Sequence, residues 1–341
     1  GLSLNTGQVS VLVEGLNFRH FCKDMLPFLC ALTPAQRARL EGVRALLRRG
    51  IRCTPAHGAG RWFDALGALV LEARGVRKAY GDRLLFADVS FALPPGGIVG
   101  VIGPNGSGKS TLLNLIAGTL RAGGGSVELD GRDLVGWPDY RRARVIGRVM
   151  QNPLEGTCPA LTVAENLRLA ERRHRPARLI AGGLFAMLGG IHPNGADRRR
   201  YRELLGDLGL PLADRLDEPV GQLSGGQRQT LSLVMATLGS PDLLLLDEHT
   251  AALDPRAEAM VMDLTDRLVR QLGTTALMVT HSLDQALGHG DRLVMLHEGS
   301  LIGDWSAAER QRFTPAALRA LYGSGTVPPD TTVPPPPAET P

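Results

Sequence analysis

Residues 98–117 read IVGVIGPNGSGKSTLLNLIA, an apolar run, a glycine-rich loop and a second apolar segment in direct succession. The run at 98–102 is typical of a buried strand, and the apolar segment at 112–117 is typical of a helix that follows the loop at once. Between them, residues 103–110 fit the pattern of a glycine, four residues, then glycine, lysine and serine. This strand–loop–helix order predicts a phosphate-binding loop, the P-loop, in an α/β fold.

The glycine-rich loop supplies groups that suit phosphate binding. Glycines allow the backbone to wrap closely around an anion, so that successive N–H groups and the N-terminus of the next helix face it. Lys109 is expected to reach the β- and γ-phosphates of a nucleotide, and the Ser110 hydroxyl to bind Mg²⁺. The candidate nucleotide-binding residues here are Gly103, Pro104, Asn105, Gly106, Ser107, Gly108, Lys109, Ser110 and Thr111. A chance glycine-rich turn is the alternative, and the flanking strand and helix argue against it.

A second apolar run, residues 243–246, ends in two acids. Asp247 is expected to hold Mg²⁺ directly or through water, and Glu248 to polarise the attacking water. Paired acids also end ordinary strands, so this assignment depends on the P-loop beside it. A third strand, residues 275–279, is followed closely by His281. The motifs therefore lie at the carboxyl ends of strands, where open α/β sheets bind ligands.

The stretch Leu223-Ser224-Gly225-Gly226-Gln227 provides another N–H-rich turn before a helix. In isolation it is better explained as a flexible helix-capping turn. Beside a P-loop, it closely resembles the signature of ABC ATPases, and the other motifs of that family stand in the expected order over about residues 71–305. Gln151 resembles the Q-loop glutamine, Ala252-Leu253-Asp254 the D-loop, His281 the switch histidine, and Tyr80 the aromatic residue that stacks on adenine.

The resemblance implies a P-loop NTPase cassette with a RecA-like core, an antiparallel β subdomain and a helical signature subdomain. It implies ATP and Mg²⁺ as cofactors, with Gln151 joining Ser110 and Asp247 at the metal. The catalytic residues that it implies are Glu248, His281 and Gln151. The signature residues Ser224, Gly225, Gly226 and Gln227 are then expected to close over the nucleotide of a second copy, so that the cassette works as a homodimer.

The chain divides into three zones. Residues 1–69 form a basic leader, in which residues 1–62 carry nine Lys/Arg against three Asp/Glu. Residues 70–322 form the predicted cassette, with the helical subdomain at about 152–225. Residues 323–341 form a Pro-rich tail that is expected to be disordered. Within the leader, residues 53–66 faintly resemble a late segment of the carbamoyltransferases that mature hydrogenases, which favours a fused remnant or a misplaced start over a second activity.

Composition bears on which partners, metal sites and membrane segments the chain is expected to have. Hydrophobic residues make up 43% and charged residues 21%, and the formal net charge is +4, so nothing in the balance calls for nucleic acid as a partner. The four cysteines match no zinc or redox spacing. No apolar run is long enough to span a bilayer. A transport role therefore requires an integral-membrane permease, with this chain peripheral on the cytoplasmic side of the membrane.

Details around two motifs resemble one importer subfamily within the ABC ATPases. The stretches 247–255, with His249 after the catalytic glutamate, and 153–162 are similar to bacterial amino-acid importers whose solutes are suggested to be aromatic amino acids. Members of that subfamily sit beside a solute-binding lipoprotein and a permease. The expected function is therefore ATP hydrolysis that energises import, with His249 packing beside the P-loop and taking no catalytic role. A soluble ABC ATPase acting on DNA or ribosomes, and an exporter ATPase, remain alternatives.

Overall fold

The computed structural model describes residues 70–81, 83–173 and 192–324. The predicted leader and residues 325–341 of the predicted tail lie outside the described residues. The first half contains β1 (Leu71–Tyr80), β2 (Arg83–Leu93), β3 (Gly97–Ile102), α1 (Lys109–Ala117), β4 (Gly124–Leu129), β5 (Arg132–Asp133), α2 (Asp139–Arg142), β6 (Ile146–Val149), α3 (Pro153–Gly156) and α4 (Val163–Arg172).

The second half alternates helices and strands over residues 225–297. It contains α5 (Gly195–Asp207), two 3-10 turns (Pro211–Asp214 and Val220–Gln222), α6 (Gly225–Thr237), β7 (Leu243–Asp247), α7 (Pro255–Leu272), β8 (Thr275–Val279), α8 (Leu283–His289), β9 (Arg292–His297), β10 (Ser300–Trp305), α9 (Ala307–Arg310) and α10 (Pro315–Ser324). Helix α10 includes residues 323 and 324, the first two residues of the predicted tail. None of the helices in the described ranges has the length and apolar character needed to cross a membrane.

The described strands form two sheets. The larger sheet has six strands in the order β10-β9-β3-β8-β7-β6. Its strands pair in parallel except for β10, which pairs antiparallel with β9 at one edge. The smaller sheet has the order β2-β1-β4-β5 and is antiparallel throughout. The predicted α/β fold and its antiparallel β subdomain are confirmed, as are the strands predicted at 98–102, 243–246 and 275–279.

Both faces of the larger sheet are covered, which explains its continuous apolar runs. Along β7, Leu244 and Leu246 pack into a core shared with α4, α5, α6 and α7. Leu243 and Leu245 point to the opposite face, where they join α1 and the antiparallel sheet. All four leucines have 0% relative exposure. Because side chains alternate along a strand, a run of leucine satisfies two cores at once.

Strand register brings the carboxyl ends of the parallel strands to one edge. Val279 pairs with Asp247 of β7 on one side and with Val101 of β3 on the other. Val149 at the end of β6 pairs with Leu246. The segments that follow these four strands therefore leave the sheet together. They contain the P-loop and the loops that carry the acidic, glutamine and histidine motifs.

A buried arginine fixes the far end of the P-loop helix. Arg142 donates hydrogen bonds to the carbonyl oxygens of Leu115 and Ile116 in the last turn of α1, at 2.9 and 3.0 Å. It also donates to the carbonyl oxygens of Leu134 and Trp137, at 2.7 and 3.2 Å. A cation at a helix C-terminus satisfies orphan carbonyls and complements the helix dipole.

We expect Arg142→Met to destabilise the fold by about 3 kcal/mol, because it removes a donor from four carbonyl oxygens, of which those of Leu115 and Leu134 keep a backbone N–H donor. Urea denaturation followed by circular dichroism measures this free energy of unfolding. The matched control is Arg141→Met, since Arg141 is exposed and stacks on the Trp137 ring with its guanidinium carbon 3.8 Å from the ring centroid. That stacking is worth about 1 kcal/mol or less. Equal losses in the two variants would contradict the role given to Arg142.

Candidate active site

The loop between β3 and α1 turns tightly because two of its glycines sit where no other residue fits. At Gly103, φ is 153° and an added Cβ atom would lie 2.1 Å from the carbonyl oxygen of Leu296. At Gly108, φ is 106° and an added Cβ would lie 2.5 Å from the Phe86 ring. Both positions therefore require glycine. A loop folded in this way at a helix N-terminus is suited to bind an anion through backbone N–H groups.

The lysine of the loop folds back over it. The Lys109 ammonium donates hydrogen bonds to the carbonyl oxygens of Gly103 and Pro104, both at 2.9 Å. Burial lowers the pKa of Lys109, while the carboxylates of Glu248 and Asp247 act to raise it. The cation is thus held inside the loop, close to both acids. At the loop tip Asn105 and Gly106 are exposed, whereas Ser107 is buried and Thr111 is half-buried in α1.

Oxygen donors suited to Mg²⁺ meet beside the start of α1. Ser110 Oγ donates to Asp247 Oδ1 at 3.2 Å. The other carboxylate oxygen of Asp247 lies 3.5 Å from Nη2 of Arg148 on β6. Mg²⁺ prefers oxygen ligands and is commonly bound through one or two carboxylates together with substrate phosphates. A serine hydroxyl and one carboxylate beside a phosphate loop fit that preference, and Gln151 nearby offers an amide oxygen.

The second acid occupies an unusual backbone conformation. Glu248 has φ of 45°, in the left-handed region that side-chain-bearing residues rarely adopt and that is common at functional sites. Its N–H donates to the Val279 carbonyl oxygen at 3.0 Å. Its Oε2 lies 3.3 Å from Gln151 Nε2 and 3.5 Å from His281 Nδ1. Side chains from two other loops therefore converge on this carboxylate.

The converging groups remain accessible to a substrate. The side chain of Glu248 is 21% exposed and that of His281 is 59% exposed. A carboxylate at this depth can accept a proton from a water molecule that enters from solvent. The histidine and glutamine beside it can contact the phosphate and the metal ion of a nucleotide bound to the P-loop. The arrangement is therefore chemically suited to phosphoryl transfer to water.

The aromatic residue predicted to meet adenine lies at the end of β1. Tyr80 is 49% exposed. The Lys78 ammonium lies 5.1 Å from the centroid of its ring and donates to the Arg121 carbonyl oxygen at 2.9 Å. An exposed aromatic ring offers a surface on which a base can stack. The geometry fits the adenine hypothesis for Tyr80, which stays a prediction.

The signature turn begins the 13-residue helix α6, and within it Ser224 is exposed while Leu223 and Gly226 are buried. Ser224 Oγ accepts from the Gln227 N–H at 3.2 Å, and Gln227 Oε1 accepts from the Ser224 N–H at 3.0 Å. This reciprocal capping box fixes the first turn. Gly226 packs closely on α7, because an added Cβ would lie 2.8 Å from the Cβ of Ala257. Gly225 lies between them, half-buried.

A side chain from the segment before the signature turn also holds it in place. Arg215 Nη1 donates to Gln227 Oε1 at 2.8 Å. The same guanidinium binds the Glu218 carboxylate through Nε and Nη2. An open cleft of about 630 Å³ lies beside this turn, and its lining includes Leu210, Ser224, Gly226, Gln227, Asp254 and Met260. The signature turn thus faces a concave, solvent-accessible surface.

The residues after Glu248 have structural contacts. His249 is 2% exposed, and the hydrogen bond of its ring is to Thr265 of α7, at 3.2 Å, rather than to the P-loop. Burial lowers the pKa of His249 to about 4, so its ring is neutral at pH 7. Asp254 caps α7 by accepting from the N–H groups of Arg256 and Ala257 at 3.1 and 3.0 Å.

The structure brings most of the predicted site residues together, but the Ser224 turn is not joined to them. The P-loop, Asp247, Glu248, Gln151 and His281 form one cluster. Across the described ranges, no hydrogen bond or ion pair joins the Ser224 turn to that cluster. Sequence reasoning missed Arg148, Arg215 and Gln285, which contact predicted site residues or the loops that carry them. An arginine inside the otherwise apolar stretch 145–150 was a signal for the first of these, while the other two had none.

Comparisons with known proteins agree with this geometry. The profile of the ABC transporter family matches residues 86–251. A tyrosine transport ATP-binding protein of Clostridioides difficile is 43% identical over 236 residues, which cover 69% of this chain and 90% of that protein. An aliphatic sulfonates import ATP-binding protein of Cupriavidus necator is 34% identical over 271 residues, covering 80% of this chain and 79% of that protein.

Solved structures show the same fold. An ATP-binding cassette of an ABC transporter, MJ1267, superposes with a TM-score of 0.62 at 26% identity, covering 74% of this chain and 98% of that one. The cassette MJ0796, solved as a dimer in a post-hydrolysis state bound to ADP and Pi, gives a TM-score of 0.58 at 28% identity, covering 70% and 98%. The fold and site thus define a nucleotide-hydrolysing P-loop cassette. More particularly, this chain belongs to the ABC transporter family, as an ATP-binding subunit of the kind found in import systems.

Proposed function

We propose that two copies of this chain bind two MgATP molecules head to tail, and that their hydrolysis drives solute import through an integral-membrane permease. In each site the Lys109 loop of one copy holds the nucleotide, and the Ser224 turn of the other copy closes over it. The observation that carries the proposal is the convergence of Gln151 and His281 on Glu248 beside the P-loop. The exposure of Ser224, and the similarity to a cassette solved as a dimer, support the shared sites.

Each residue of the cluster has its own role in the reaction ATP + H₂O → ADP + phosphate. Glu248 accepts a proton from the attacking water as the water oxygen bonds to the γ-phosphorus and the bond to the ADP oxygen breaks. His281 donates to the γ-phosphate, and Lys109 offsets its negative charge. Most of the catalysis is positioning and electrostatic stabilisation, since the protein forms no covalent bond to the phosphate.

The remaining site residues bind the metal ion and the two ends of the nucleotide. Ser110, Asp247 and Gln151 would hold Mg²⁺, which would supply positive charge to offset the negative charge of the phosphates. Tyr80 stacks on adenine. The Ser224 turn adds N–H groups to the γ-phosphate of the partner's nucleotide. Because the interface then includes nucleotide from both copies, ATP binding favours the closed dimer and hydrolysis releases it.

The cassette in this proposal spans residues 70–322, with a helical subdomain at about 152–225 that contacts the permease. The described helices α3, α4 and α5 and the two 3-10 turns lie in that subdomain segment. Residues 1–69 and 323–341 lie outside the cassette as a basic leader and a tail. The chain works at the cytoplasmic face of the membrane, and a solute-binding protein delivers the solute to the permease on the other side.

An amino acid is the proposed solute, because a relative named for tyrosine transport is 43% identical and matches over 90% of its length. Tyrosine is therefore the first solute to test. We expect a strain that lacks this chain to lose uptake of labelled tyrosine, and the wild-type chain to restore it. The Lys109→Ala chain should fail to restore uptake, since we expect it to bind ATP much more weakly.

Three other outcomes would separate the competing functions. Normal tyrosine uptake in the deletion strain, with loss of another solute, would overturn the amino-acid assignment and keep the importer. Accumulation of a solute inside the deletion strain would favour an exporter. Stimulation of the ATPase by DNA or ribosomes, with no permease recovered from detergent-solubilised membranes on the tagged chain, would favour a soluble ABC ATPase.

A further inference from the structure

Two of the groups that act on the nucleotide stand on different loops, and the sheet fixes only the start of each loop. Glu248 follows β7 and His281 follows β8. The parallel pairing of these strands ends with Asp247 opposite Val279, and one further backbone bond joins Glu248 to Val279 at 3.0 Å. Beyond that point another contact has to hold the loops at the spacing that leaves Glu248 and His281 3.5 Å apart.

The side chain of Gln285 makes that contact. It lies in the first turn of α8, where its N–H donates to the Ser282 hydroxyl at 3.3 Å. Its amide oxygen accepts from Thr280 Oγ at 2.8 Å, next to His281. Its amide nitrogen donates to Thr250 Oγ at 2.8 Å, two residues after Glu248. Both threonines are 3% exposed, so these bonds are shielded from water.

A fourth partner fixes which way the amide points. The Gln285 amide nitrogen also donates to the Glu258 carboxylate, in the first turn of α7. An ionised carboxylate accepts hydrogen bonds and donates none, so the NH₂ group must face Glu258. The amide oxygen must then face Thr280. The amide therefore has one orientation, and it joins the histidine loop, the segment after the glutamate, and the helix capped by Asp254.

We propose that Gln285 is a positioning residue for hydrolysis, which holds the His281 loop against the segment that carries Glu248 and Asp254. This inference rests on the proposed roles of Glu248 and His281. Gln285 touches neither reacting group, and its effect passes through Thr280 and Thr250. A displacement of about 1 Å at a catalytic group can cost up to about 100-fold in rate. Loss of the Gln285 hydrogen bonds therefore lowers kcat while the P-loop still binds ATP.

The test reverses the polarity of the Gln285–Glu258 contact. Gln285→Glu places two carboxylates against each other, and we expect kcat to fall about tenfold with KM for ATP within about twofold of wild type. The double variant Glu258→Gln with Gln285→Glu restores a donor facing an acceptor, and should return kcat to within about threefold of wild type. Asp284→Asn, at the neighbouring exposed position, is the matched control and should leave kcat unchanged.

Thermal unfolding of each variant separates positioning from simple stability. A wild-type kcat for Gln285→Glu, or a low kcat that the double variant does not recover, would overturn the proposal. So would a fall in kcat that appears only together with lower Tm and weaker ATP binding. Should Gln285→Glu fail to fold, Gln285→Met is measured instead, and an unchanged kcat there overturns the proposal equally. Glu248→Gln in the same assay tests the proposed function itself. If the proposed function is wrong, Glu248→Gln keeps its activity; if only the role of Gln285 is wrong, Glu248→Gln is still inactive.

Discussion

Glu248→Gln is expected to lower ATP turnover by about 100-fold or more while ATP binding stays at the wild-type level. The amide has nearly the shape of the carboxylate but cannot accept the proton of the attacking water, and general-base catalysis is worth about 100-fold to 10,000-fold. Because ATP then persists in both sites, the variant should remain a dimer in the presence of MgATP. Phosphate release measures turnover, and size-exclusion chromatography with and without MgATP measures the dimer.

Another glutamate of this chain provides a matched control for that substitution. Glu298 also has a left-handed backbone, with φ of 46°, and its side chain is exposed in the turn between β9 and β10. Glu298→Gln therefore makes the same chemical change on the same kind of backbone, and it should keep wild-type turnover. Undiminished turnover in Glu248→Gln would refute its role as the base. A monomeric Glu248→Gln protein at saturating MgATP would count against the shared sites.

Lys109→Ala should weaken ATP binding by about 100-fold or more. The ammonium is buried within the loop and close to two carboxylates, so bonds that it makes to phosphate oxygens would be charge-assisted and shielded from water. Hydrogen bonds to charged groups are worth up to about 3 kcal/mol, and each 1.4 kcal/mol is about tenfold in affinity. Isothermal titration with MgATP gives the dissociation constant directly.

Loss of a positive charge near the nucleotide has to be separated from loss of this particular lysine. Arg121 lies just after α1 with an exposed side chain. Arg121→Ala removes the same formal charge from outside the loop and should change ATP affinity by less than about threefold, since exposed charges are well screened. Normal ATP binding by Lys109→Ala, or an equal loss in both variants, would contradict the P-loop assignment.

Local chemistry made much of this site predictable. The P-loop could be found because glycines, a lysine and a serine must be consecutive to wrap one phosphate. Asp247 and Glu248 could be found because a fully buried strand, Leu243–Asp247, gives an uninterrupted apolar run that ends at the sheet edge. Gln151 and His281 needed the family resemblance, since a lone glutamine or histidine after a strand usually has no catalytic role.

The residues that hold the site in place could not be predicted in the same way. Gln285 meets Thr250 and Glu258 from 35 and 27 positions away, and Arg148 meets Asp247 from 99 positions away. Such pairs leave no local spacing pattern, because each partner is fixed by its own helix or strand. The stabilising contacts of Arg142 also have no local sequence pattern, since its acceptors Leu115 and Ile116 lie 27 and 26 positions away.

By itself, the sequence determined the elements of this protein and the chemistry carried by each, because secondary structure and phosphate loops depend on neighbours along the chain. Only the tertiary structure decided how those elements meet: that Glu248 adopts a left-handed backbone, that Gln151 and His281 converge on it, and that the Gln285 amide joins the His281 loop to the segment after Glu248. Those arrangements follow from strand register and packing between distant segments.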